Sequence, residues 1–259
     1  MAPGDADRAG AGMMALPADA LVFGTFGLVT PEKRIPQILR TFAAVRPSMR
    51  PSRLVLVGEV AAHYDVAAEI AALGLTDHVT ITGYVDDAEV AAWLSRLDVA
   101  LCLRWPSSGE SSASWLRCLA AGLATVTTDL VHNSDVPSLD PRTWLPQHTR
   151  RDAGAVSSPP TWRHAVTVAI DVLDEEHSLG LAMVRLARDT ELRHALAANA
   201  HAHWQRHHTL EAMRDGYEAA LAAIATTPRV SRPRPVHLDR DGTDVVARIS
   251  AHIGVPRPF

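Results

Sequence analysis

The stretch Leu103–Val126, LRWPSSGESSASWLRCLAAGLATV, decides how the rest of the chain is read. It opens as the end of an apolar strand and passes through a Ser/Gly-rich turn that carries Glu110. It then runs on as an apolar helix and returns through Gly122 to a second strand. Such a turn leaves free backbone N–H groups at a helix N-terminus, where an anion can dock. Glu110 beside that locus is a poor partner for phosphate but a good acceptor for ligand hydroxyls. An anion paired with hydroxyls fits a sugar nucleotide. The plainer alternative is that Glu110 only caps the helix through its favourable dipole.

Toward the N-terminus the same strand–turn–helix pattern repeats. Leu21-Val22-Phe23 starts a buried strand that ends in Gly24-Thr25-Phe26-Gly27. Thr30-Pro31-Glu32 reads as an N-cap, a first-position proline and a first-turn acid. The helix Ile35–Val45 follows, with Ile35, Ile38, Leu39 and Phe42 on one face. Leu54–Gly58 is a second strand, a helix carries Val66, Ile70 and Leu73, and Val79–Thr82 is a third strand before the turn Gly83-Tyr84-Val85. Asp86 and Glu89 form a capping box for a helix to about Ser95. Val99–Leu103 and Ala124–Thr127 are the fourth and fifth strands.

On the C-terminal side, residues 130–163 are proline-rich and polar, a long loop with room for one short element. Val166, Val168, Ile170 and Val172 alternate over Ala165–Leu173, read as a sixth strand, although a helix could also claim the segment. Asp174, Asp189 and Thr209 cap three helices, the first with Glu175 and Glu176 in its opening turn. From Thr226 onward the chain is basic and proline-rich, with a weak helical pattern near Val245–Ile253. The expected organisation is a disordered lead over 1–19, an α/β domain over 20–225 (for which the resemblance given below implies a Rossmann-like nucleotide-sugar-binding role) and a tail over 226–259.

Strands apolar on both faces and alternating with helices predict an α/β fold: a six-stranded parallel sheet with helices on both sides. Sites in such sheets lie at the carboxyl ends of the strands, where Gly24–Gly27, Gly58, Gly83-Tyr84 and Ser107–Ser112 all fall. The formal charge of −4 supplies no basic field, which argues against nucleic acid as a partner. Cys102 and Cys118 read as free thiols of a reducing compartment. The first residues lack the order of a signal peptide and no apolar run reaches membrane-spanning length, so a cytoplasmic location is expected.

Taken in order, Gly24-Thr25-Phe26-Gly27 with Pro31-Glu32-Lys33-Arg34, Leu54–Gly58, Gly83-Tyr84-Val85 and the Gly109-Glu110…Gly122 block resemble the C-terminal half of a GT-B-fold glycosyltransferase of family 4 (group 1). The resemblance runs from about Leu21 to Ile224. It implies a Rossmann-like domain that binds a nucleotide-diphosphate sugar as donor substrate, with no metal or other cofactor required. It places Lys33 on the donor phosphates, Glu110 on the transferred sugar, the Ser111 and Ser112 amides on the pyrophosphate, and Gly83, Tyr84 and Val85 on the base. Gly24, Gly27 and Gly109 are the tight turns of the same motifs.

Three departures stand out. The second glutamate of the family's motif, which holds the ribose, is replaced by Arg117 or Cys118, with Glu175 and Glu176 as its candidate substitutes. The arginine that usually partners the phosphate lysine is absent where Gly27 stands, which leaves Arg34 or Arg104 to replace it. Only about twenty unpatterned residues precede the first strand, where the family carries its acceptor domain. The expectation is a truncated transferase half, partnered by a separate acceptor-domain chain. The alternative is a non-catalytic, degenerate relative that serves as an interaction module through self-association.

Bland readings stand beside the sharp ones. A cation in a helix's first turn opposes the dipole, so Lys33 is poorly explained by structure alone. Arg34 reads as a solvated neighbour, Arg117 as a snorkelling surface residue and Tyr84 as either a base platform or a cover for the sheet edge. Trp105 and Trp115 read as packing residues. The run His194, His201, His203, His207 and His208 contains one ligand-capable spacing, His203 to His207, yet is best read as a solvated helical face rather than a metal site. Gly24-x-x-Gly27 is not a dinucleotide fingerprint.

Overall fold

The computed structural model describes residues 16–147, 164–227, 235 and 242–254. Five parallel strands form where the apolar runs stand: β1 (Leu21–Phe26), β2 (Ser52–Val57), β3 (Val79–Ile81), β4 (Val99–Cys102) and β5 (Ala124–Thr128). Three more extend the sheet: β6 (Ser138–Leu139), β7 (Pro146–Gln147) and β8 (Thr167–Ile170). The order is β3-β2-β1-β4-β5-β8-β6-β7, parallel except for β7, which runs antiparallel to β6. The sheet thus has eight strands where the sequence predicts six. The extra pair comes from the proline-rich segment after β5, where two-residue strands are too short for periodicity to register.

Helices cover both faces. α1 (Ile35–Val45), α2 (Val66–Ala72) and α5 (Glu175–Arg188) lie on one side, and α3 (Asp87–Arg96) and α4 (Ala113–Ala120) lie on the other. Strand alternation produces the two cores. Leu21, Phe23, Leu54 and Leu56 pack with Ile38, Phe42, Leu179 and Met183, while Val22, Val55 and Ala100 pack with Trp93, Leu94 and Cys118. α6 (Thr190–His207) follows from Asp189, whose carboxylate accepts from the Leu192 amide, and packs Ala200 with Trp115 and Leu119 of α4.

Local signals hold well at α3 and less well at α1. The Asp86/Glu89 capping box is present in full. Thr30 makes no side-chain cap: Pro31–Lys33 form a single 3₁₀ turn, Arg34 takes a left-handed φ of 60°, and α1 starts only at Ile35. Lys33 therefore precedes the helix instead of lying in its first turn. Chain contacts divide the molecule into two units, one ending at Met213 and one from Arg214. α7 (Leu210–Thr226) buries none of its residues, and α8 (Thr243–His252) is a short amphipathic helix. No helix among the described residues is long and apolar enough to cross a membrane.

Candidate active site

In this strand order the sheet reverses its direction of build between β1 and β4, so the loops leaving those two strands diverge and open a crevice at their carboxyl ends. Gly27 lies at the end of β1 and Arg104 just past the end of β4. The Phe26 carbonyl ties three elements together: it accepts from Lys33 Nζ at 2.5 Å and from Ser114 Oγ of α4 at 3.1 Å. Only glycine fits beside it. Gly27 has φ 83°, and a Cβ there would stand 2.6 Å from Lys33 Nζ and 3.2 Å from Ser114 Oγ. The Trp105 amide donates to the Glu32 carbonyl at 2.8 Å, and the Arg104 amide to Thr128 Oγ1 at 3.1 Å, so the loop after β4 is pinned to both neighbouring strand ends.

Lys33 is the electrostatic anomaly of this crevice. Burial, together with the nearby Arg104 guanidinium, pulls its ammonium down to about 8. Among the described residues no carboxylate pairs with it. Ser112 caps α4 by accepting from the Trp115 amide at 3.3 Å, so the Ala113 and Ser114 amides, ahead of the intrahelical ladder, point out of the helix start. A cation without a counter-ion beside a helix N-terminus favours an anion there.

Glu110 sits on the loop ahead of α4. It is paired with the Arg104 guanidinium and accepts from the Ser108 amide at 3.0 Å and Ser108 Oγ at 2.7 Å. Two cavities flank α4. One, of about 400 Å³, is lined by Glu110, Gly109, Ser111, Ser112 and Arg104 on one wall. The other, of about 350 Å³, is lined by Gly27, Gly58, Tyr84, Val85 and Arg117. Gly83 bridges to Gly58 at the edge of the second cavity, and Arg117 is held there by Asp87 at 2.9 Å. Lys33 lines neither cavity; it lies beneath the junction of β1 and α4.

Other sequence candidates stand elsewhere. Gly24 lies inside β1, paired with Val55 and Ala100, and the Leu97 side chain occupies the place of its missing Cβ. Arg34 forms a bidentate pair with Glu175 at 2.5–3.0 Å, and Arg40 pairs with Glu176 at 2.6 Å. These contacts fasten α1 to α5 and line neither cavity. The histidine run divides as well. His194 is exposed and His201 bonds the Ala120 carbonyl, but His203 is only 8% exposed and faces the larger cavity with His207 and His208. The solvated-face reading thus fails for His203, because α6 packs against α4 and brings its C-terminal turn over the cavity. Among the described residues no group of three or more His, Cys, Asp or Glu is placed to hold a metal ion.

A parallel, doubly wound sheet with a crevice at the β1/β4 switch point defines a Rossmann-like class of half-domain. Residues 20–143, a little under half of the chain, match the family model described as glycosyl transferases group 1. The fold is that of the C-terminal half of a GT-B glycosyltransferase of this group, as the sequence motifs imply. The chain is similar to the C-terminal domain of the group 1 protein LpcC from Francisella tularensis, at TM-score 0.54 and 15% identity over 81% of this chain and 95% of that one. It is also similar to sucrose-phosphate synthase from Thermosynechococcus elongatus, at TM-score 0.60 and 16% identity over 84% of this chain and 49% of that one. Anabaena HepE in complex with UDP and glucose matches at TM-score 0.59 and 15% identity, over 86% of this chain and 53% of that one. The chain thus spans about half the length of the full-length enzymes it resembles. No curated protein sequence matches it significantly.

Proposed function

We propose that this chain is the donor-binding half of a group 1 glycosyltransferase and holds a nucleotide-diphosphate sugar. The observation that carries the reading is Lys33, a partly buried cation with no carboxylate partner among the described residues, set beneath a helix N-terminus. A diphosphate supplies the missing counter-charge. The base and ribose fit the smaller cavity, against Tyr84, Val85 and Arg117. The pyrophosphate lies on the α4 amides after Ser111 and Ser112, and the sugar hydroxyls point toward Glu110.

In this reading Lys33 and the amides stabilise the charge that builds on the leaving diphosphate, and Glu110 orients the sugar after releasing Arg104, which then faces the phosphates. No metal is needed, because the charge is met by protein groups. The acceptor is bound with the help of a domain outside this chain's fold. UDP found in the HepE complex makes uridine diphosphate the first probe. Calorimetry with UDP, GDP and their sugars gives saturable binding that Lys33→Ala and Glu110→Ala weaken strongly. Absence of binding to every nucleotide tested overturns the proposal and leaves a non-catalytic module.

A further inference from the structure

The larger cavity has a second wall that the donor reading does not use. It is built by the turn after β5 and by the last turn of α6: His132, Asn133, Asp135, His203, His207 and His208. Among the described residues, none of these side chains makes a hydrogen bond to protein. Among them His203 is 8% exposed as a residue, and its unbonded ring nitrogens open onto the cavity rather than being sealed from it. The three imidazoles of α6 also cluster, with ring centroids 4.7, 5.3 and 6.4 Å apart.

We propose that this cavity binds a neutral saccharide through the imidazoles of His203, His207 and His208 together with Asn133 and Asp135. The polar chemistry selects the class. Burial first, then the neighbouring His207, His208 and Arg206, push the His203 imidazolium down to about 4, so near neutral pH the ring is uncharged. A neutral imidazole offers one donor and one acceptor, the same complement as a hydroxyl group. Asp135 stands on the histidine wall itself, and its carboxylate disfavours an anion there. Trp115, Leu116 and Val136 supply an apolar floor for a sugar ring. A volume of about 400 Å³ falls within the range of small-ligand pockets.

The inference deepens the donor reading by naming the class of a second ligand beside Glu110, and its binding test stands apart from nucleotide binding. The histidine-ring C–H resonances of the labelled full chain are followed while D-glucose, D-mannose or maltose is added, and in separate arms inorganic phosphate or UDP. The expected result is a saturable shift of the His203, His207 and His208 signals with at least one neutral sugar and none with phosphate. His208→Ala, at an exposed position that leaves the core intact, weakens that response by about fivefold to tenfold, the worth of one hydrogen bond. His203→Phe abolishes it. No shift with any of the three sugars, or a shift with phosphate alone, overturns the proposal. Rings that ignore sugars in a chain that binds UDP overturn this inference and spare the donor reading; rings that respond in a chain that ignores UDP do the reverse.

Discussion

Lys33 and Arg34 are neighbours in the chain, and the regions they serve could hardly differ more. Arg34 turns toward the α1/α5 face, where Glu175 grips its guanidinium with three contacts. Lys33 turns under the β1/β4 crevice, where it meets only a carbonyl and another cation's field. One face is electrostatically closed and so contributes to folding. The other is left open and carries a desolvation penalty that no carboxylate among the described residues offsets. Proteins keep such penalties mainly where a ligand removes them.

Two substitutions separate these regions. Glu175→Ala strands a partly buried guanidinium, and the expected loss is about 3 kcal/mol of stability, read from urea unfolding. Nucleotide affinity measured on the folded fraction stays unchanged; a parallel loss of affinity would mean that the α1/α5 face belongs to the site after all. Lys33→Met has the opposite signature. It removes a cation the fold does not need, so stability is maintained or rises, while UDP affinity drops about 100-fold, the loss of a charge-assisted contact worth roughly 2–3 kcal/mol. Destabilisation by Lys33→Met with affinity intact would sink the contrast.

The same substitution has a pH counterpart. Lys33 in the folded chain releases its proton near 8, far below the ordinary lysine range, so UDP affinity weakens as pH rises through about 8. For stability the sign runs the other way. Between about 8 and the ordinary lysine value the unfolded chain binds the extra proton, so this residue's contribution rises with pH across that window. Lys33→Met flattens both dependences.

How much of this was legible in the sequence follows from how local each signal is. Asp86 and Glu89 read correctly because a capping box is completed within one turn. Apolar spacing gives the limits of α1, Ile35–Val45, but not its entry: Thr30-Pro31-Glu32 has cap chemistry, yet the chain makes a 3₁₀ turn and a left-handed Arg34 there. β6 and β7 are two-residue strands held by sheet neighbours, and two residues of pattern cannot encode either. For the candidate site, Glu110, Ser111, Ser112, Tyr84 and Val85 were legible as loop residues beyond strand ends and line the two cavities, whereas Arg117, read as a snorkelling surface residue, lies within α4 and lines the smaller cavity. The sequence could not show that Arg34 and Glu175, 141 residues apart, are engaged with each other. Nor could it show that α6 folds His203 inward, since a helix with little amphipathic contrast does not announce its buried side.

The histidine wall sharpens the comparison at acid pH. His203 is held near 4 in the folded chain, against about 6.5 for a free imidazole, so between those values the unfolded state binds the additional proton. Stability therefore declines as pH falls through 6.5 toward 4, by on the order of 2 kcal/mol from this residue. His208, lowered by burial and by His207, adds in the same direction. Urea midpoints taken across this range should show a shallower decline for His203→Phe. An identical slope in the variant would place the acid sensitivity elsewhere and weaken the view of His203 as a buried neutral ring.

The smallest effect tests the boundary between the closed and open regions. Arg117 is exposed, pairs with Asp87 at 2.9 Å and lines the smaller cavity. An exposed pair contributes under about 1 kcal/mol, so Arg117→Ala changes the unfolding midpoint little. If the ribose and base occupy this cavity, the same variant lowers UDP affinity by a few-fold while leaving the response to inorganic phosphate unaltered. Asp87→Ala supplies the control: it frees Arg117 from its pair, and in the proposed arrangement affinity holds or improves. A loss of affinity in Asp87→Ala equal to that in Arg117→Ala would instead make the ion pair a structural prop for the Tyr84 turn, and Arg117 would join Arg34 among the cations that serve the fold.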